Sequence, residues 1–166
     1  MKLKRDYGNP DSGGGIDAYT ESGNARKEEF LRDAAKYLRA IGKELAKSGL
    51  TEQDVMRPNR GGIAVSGEVY GEFRAPGEDI GVSVEMSSTC IMNLSGRRDG
   101  ATIRAVWRCR RRERAHTPEG PNRWVNPNGT AAGAAAEIIG ILQEGRRQMW
   151  REAKDREAVA IDSVTA

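Results

Sequence analysis

The 166-residue chain carries 27 lysines and arginines against 24 aspartates and glutamates, with one histidine, two cysteines, 37% apolar and 31% charged residues. That length supports one domain with a real core and excludes two well-built ones. No apolar run approaches the roughly 20 residues that span a bilayer, and His116, Cys90 and Cys109 are too few for a structural zinc site unless carboxylates complete it, so neither metal nor cofactor is expected.

Residues 1–23 hold Gly8, Pro10, Gly13, Gly14, Gly15 and Gly23 among polar side chains. They cannot bury enough apolar surface to offset the entropy of ordering, which predicts a flexible N-terminal arm with Tyr7, Ile16 and Tyr19 as its docking points. Glycine and polar residues follow Met1–Asp6 where a signal peptide would have its apolar stretch, pointing to a cytoplasmic location. There Cys90 and Cys109, without CxxC spacing, are expected as reduced core thiols. Asn24 offers an N-cap, and Phe30, Leu31, Ala34, Leu38, Ile41 and Leu45 recur at three- and four-residue steps, the pattern of an amphipathic helix that Gly49 stops. Thr51 and Asp54 predict one further capped turn before Pro58, and Asn59–Gly62 breaks the chain.

The period then changes from 3.6 to 2. Ile63, Val65, Val69 and Phe73 fall on one side of a strand, and Glu68, Tyr70, Glu72 and Arg74 on the other. Ala75–Asp79 supplies a turn, and Ile80, Val82, Val84 and Met86 alternate with Gly81, Ser83, Glu85 and Ser87, so a hairpin is expected. Cys90–Leu94 reads as a short third strand and Ala101–Arg110 as a fourth. Residues 116–129 are rich in Pro, Gly and Asn, a loop with Trp124 and Val125 pinned to the body. Thr130 opens a second helix with Ala134, Ala135, Ile138, Ile141, Leu142 and Met149 on its apolar side. The expectation is an α+β domain over residues 24–157, helix, four-stranded antiparallel sheet, helix, with both helices on one face of the sheet, followed by a flexible C-terminal tail, 158–166.

Charge is concentrated in one place. Between Arg97 and Arg123, nine arginines stand against Asp99, Glu113 and Glu119, a net of +6 in a chain of net +3, so the remainder sums to −3. On the fourth strand, alternation puts Ile103, Ala105, Trp107 and Cys109 on the core side and Arg104, Arg108 and Arg110 on the other. Two readings follow. The arginines pair with Glu68, Glu72 and Glu85 on neighbouring strands, or they present guanidinium forks to phosphate or acidic side chains, with Tyr70 as a stacking surface. Arg110, Arg111, Arg112 and Arg114 favour the second, because no nearby residue in the sequence has enough negative charge to neutralise them. Asn122, Arg123 and Trp124 form a second candidate, either contacting a base or anchoring the loop; the helix start at Thr130 adds free N–H groups nearby.

Neither Gly13–Gly15 nor Gly61–Gly62 belongs to a phosphate loop, and lone His116 gives no nucleophile with its base. The expected function is a small non-enzymatic binding module. It engages an anionic partner, nucleic acid or a nucleotide, through Arg104, Arg108, Arg110, Arg112, Arg114 and Arg123 with Asn122, Trp124 and Tyr70. The alternative is a protein-interaction module that meets an acidic protein surface, such as a phage- or plasmid-encoded inhibitor of a host defence complex. A third is a small enzyme using Glu68 and Glu85, opposite one another if the hairpin closes from Phe73 to Ile80. No membrane partner is expected, and the open sheet face or Met149 and Trp150 are the places for a homodimer contact.

Overall fold

The computed structural model describes Leu3, Tyr7 and residues 21–52, 57–59, 68–87, 101–110 and 119–165, with backbone alone for 22–24, 57–59 and 159–165. Helix α1 spans Glu21–Ala46, beginning four residues earlier than a cap at Asn24 predicts; Glu21 in the first turn suits the positive end of the helix dipole. Its apolar stripe is buried, with Tyr37 added to it. The helix ends at Gly49, whose φ of +79° is open to glycine at little cost. Leu50 N–H donates to the Leu45 carbonyl at 3.1 Å and Gly49 N–H to that of Ala46 at 3.0 Å, the paired bonds of a Schellman cap.

Six strands follow among the described residues: β1 (Thr51–Glu52), β2 (Arg57–Asn59), β3 (Glu68–Arg74), β4 (Ile80–Ser87), β5 (Thr102–Cys109) and β6 (Arg123–Val125). All pairings are antiparallel. β1 and β2 lie end to end along one edge of β3, so the six strands fill five positions, in the order β1/β2, β3, β4, β5, β6. The sheet is therefore wider than four strands. Three of its members are two or three residues long, too short to show alternation, and Thr51–Glu52 is strand where a capped helical turn was predicted. The predicted strand Cys90–Leu94, and residues 63–67 of the predicted hairpin arm, lie outside the described residues.

Helix α2 runs from Ala131 to Thr165, through the segment predicted as a C-terminal tail. Thr130 caps it, its Oγ1 accepting from Gly133 N–H at 3.1 Å. Both helices pack on one face of the sheet. Val69, Phe73, Val82, Val84, Met86, Ile103, Ala105, Trp107 and Cys109 meet Leu38, Ile41, Ile138 and Leu142 in a single core. Cys109 is buried and unbridged. Of the predicted arm, Leu3 and Tyr7 are buried; the Tyr7 ring stands edge-on to Phe30 at 5.2 Å and its hydroxyl donates to Asp33 at 3.0 Å. Ile16 and Tyr19 lie outside the described residues. No helix among those described is long and apolar enough to cross a membrane.

Trp107 sits where three elements meet. A Cβ on Gly120 would stand 2.1 Å from its Nε1, and one on Gly145 of α2 would stand 2.5 Å from its ring, so both glycines are required for the approach of loop and helix to the indole.

Candidate anion-binding face

The face of the sheet turned away from the helices is built by the period-2 alternation of β3, β4 and β5. Registers are set by the β3–β4 hairpin: Arg74 pairs with Gly81, Glu72 with Ser83, Tyr70 with Glu85, and Glu68 with Ser87. Glu68 and Glu85 are thus not opposite one another. The last pair before the turn is Arg74 with Gly81, two residues out of the register that a Phe73–Ile80 closure would set, and the carboxylate pair of the enzymatic reading is not formed. Next door, Gly81 faces Arg108, Ser83 faces Val106, and Glu85 faces Arg104; on β6, Trp124 faces Arg104.

A row of side chains therefore crosses four strands: Tyr70, Glu85, Arg104, Trp124. Arg104 binds Glu85 directly, as its opposite position requires. Arg110 lies just beyond β5, where its N–H donates to the Asp79 carbonyl at 2.9 Å, and its guanidinium reaches Glu72 at 2.7 Å. The same carboxylate takes Arg74 Nη2 at 2.6 Å. Glu72 is only 5% exposed, and Arg74 lies flat across Gly81, where a Cβ would come within 3.2 Å of its Nε. That Nε is buried without a hydrogen-bond partner. The Tyr70 hydroxyl lies 3.1 Å from Ser83 Oγ and 3.5 Å from Glu72 Oε2, which ties the half-buried ring into the same network. Together with Ser87 and Val106, Glu72 and Ser83 are buried, so this face is only partly solvated.

Arg108 pairs with Glu119 at 3.1 Å across an isolated bridge, a partner that the sequence did not indicate because Glu119 lies in the Pro- and Asn-rich stretch. Both are well exposed, at 44% and 54%. Arg123 points the other way: its neighbour across β5 is the core-facing Ala105, and it pairs with Glu144 of α2 at 2.7 Å. Asn122 is exposed in the loop ahead of β6. Arg112 and Arg114, with Arg111, lie outside the described residues.

Of the candidate residues, the fold brings Arg104, Arg108, Arg110, Tyr70 and Trp124 to one face and sends Arg123 to the other. Trp124 does not anchor the loop; Val125 does, buried opposite Ile103, while Trp124 is 54% exposed. The free helix N-terminus predicted near Thr130 is satisfied in part by the Thr130 side chain. Among the described residues no three His, Cys, Asp or Glu side chains gather as metal ligands.

The fold and this face define the class: a small α+β domain with one helix-covered sheet face and one arginine–carboxylate face edged by an exposed tryptophan. Compared with protein families, curated protein sequences and solved structures, the chain matches none.

Proposed function

We propose that the protein is a non-enzymatic binding module for an anionic partner, nucleic acid before a nucleotide, and that the arginine face of the sheet is the contact surface. What carries the reading is the alignment on one face of Arg104 and Arg108 of β5 and Arg110 just beyond it, their side chains 35%, 44% and 51% exposed. Carboxylates hold these guanidinium groups in position without covering them. Arg104 uses one nitrogen on Glu85 and Arg108 one on Glu119, whereas a guanidinium carries five N–H donors. Exposed pairs are worth about 0–1 kcal/mol, so a phosphate can displace or share Glu119 at small cost. Arg112 and Arg114 continue the same run of charge in the sequence.

The test is a salt titration of binding to a labelled oligonucleotide. Three phosphate contacts predict a slope of log K against log salt of about −2 for a single strand, and changing Arg108 and Arg110 together to Ala should flatten it by about 1.4. Unchanged affinity in that double variant would make the arginines structural. One observation favours the protein-interaction alternative: Trp150 on α2 is 62% exposed, next to the buried Met149. That alternative predicts a shallow salt slope and a partner lost on Trp150→Ala.

A further inference from the structure

We infer that the ligand of the arginine face is an unpaired nucleic-acid strand, one base of which stacks on Trp124. The inference rests on the nucleic-acid reading above and narrows it from any phosphate polymer to one whose bases are free.

Trp124 is the feature that arginine chemistry alone does not explain. It occupies the middle of the three-residue β6, the outermost strand among the described residues, on the face opposite the core. A large apolar ring at 54% exposure is costly to leave in water, and the buried neighbour Val125 already secures the strand. The ring stands beside Arg104 across the pairing, and directly opposed residues of an antiparallel pair have Cβ atoms about 5 Å apart. The indole offers a flat face on which an aromatic ring can stack, and Arg104, whose guanidinium is held by Glu85 on the β4 side, brings positive charge into the same row for the phosphate attached to that ring.

The rest of the face continues from there. Arg104, Arg108 and Arg110 extend from the Trp124 end along β5 for about 20 Å, at the strand rise of about 3.4 Å per residue. A single strand can lay phosphates along that line and turn a base onto the ring at its end. A duplex cannot, because its bases are stacked on each other and present only edges in the grooves. Charge complementarity also argues against an acidic protein as the occupant here: the indole would face carboxylates and gain nothing by stacking.

The experiment uses the full chain and fluorescein-labelled 12-nucleotide single-stranded RNA, single-stranded DNA of the same sequence, and the 12-base-pair DNA duplex, at low salt. Polarisation gives affinity, and thermal melting confirms that each variant is folded. The expected result is preference for a single strand over duplex, a loss of about 5- to 100-fold for both single strands on Trp124→Ala, and substantial recovery in Trp124→Phe. The RNA and DNA arms show which sugar is preferred. Equal affinity for duplex and single strand, with Trp124→Ala leaving both unchanged while Arg108 and Arg110 changed to Ala weakens both, would overturn base stacking and leave the anionic reading standing. No binding to any of the three would overturn both.

Discussion

At the scale of single residues, ion pairs that look alike in the sequence differ sharply in what surrounds them. Glu72 is buried between Arg74 and Arg110 and accepts from both, whereas Glu119 meets Arg108 in water. Removing one member of a buried charge network leaves the other charges without compensation; removing a solvated one does not. Glu72→Ala should therefore lower the free energy of unfolding by about 3 kcal/mol, and Glu119→Ala by less than about 0.5 kcal/mol, both read from urea melts. Equal small losses would mean that water reaches Glu72 freely. The face that each residue occupies was legible from alternation, and Glu72 and Glu85 are arginine partners as the pairing reading expected. Among the described residues Glu68 pairs with no arginine, and Glu119 takes a place that only the bridge to β5 created.

At the scale of elements, β5 is held by what packs on Trp107. Gly120 and Gly145 allow a loop and α2 to reach the indole, so Gly120→Ala and Gly145→Ala should each cost about 1–3 kcal/mol through overpacking, measured as a lowered thermal midpoint. A stability within error of the parent would mean that the ring has room to move. Helix α2 offers a contrast at adjacent positions. Met149→Ala should cost about 2–5 kcal/mol because the side chain is in the core, and Trp150→Ala less than about 0.5 kcal/mol because its ring is exposed. Arg146, one turn before them, grips Glu78 in the β3–β4 turn at 2.6 Å, a contact that joins α2 to a hairpin 68 residues away. Long periodic elements such as α1, β4 and β5 were legible in the sequence. β1, β2 and β6 were not, because a two- or three-residue strand exists only through the neighbour that pairs with it.

At the scale of the whole molecule, α1 is joined to the turn ahead of α2 through Tyr37, whose hydroxyl donates to the Gly129 carbonyl at 2.8 Å. Burial, and the nearby Glu137 carboxylate, raise its pKa above the ordinary value of 10.0. The folded state thus keeps its proton when the unfolded chain begins to release its own. Stability from this group is complete below pH 10 and is lost as pH rises through the folded-state value. Tyr37→Phe should cost about 1 kcal/mol at neutral pH and flatten the decline in unfolding free energy above pH 10. A decline as steep as the parent's would place its origin in other groups. Charge is also distributed at this scale. The segment of net +6 is stitched to the rest of the chain by Arg104 on Glu85, Arg110 on Glu72 and Arg123 on Glu144, while Arg108 pairs within it, on Glu119.

The sequence by itself determined the two long helices, the 68–87 hairpin and the face of β5 on which the arginines stand, since periodicity is a local property of the chain and every turn of helix or pleat repeats it. Tertiary structure alone decided the hairpin register that separates Glu68 from Glu85, the edge strand that carries Trp124 out of the core, and the partners of each arginine. Those outcomes depend on which backbones hydrogen-bond to which. Glu72 and Arg110 are 38 residues apart in sequence, and Arg123 and Glu144 are 21 apart on different elements, so no local pattern could have matched them.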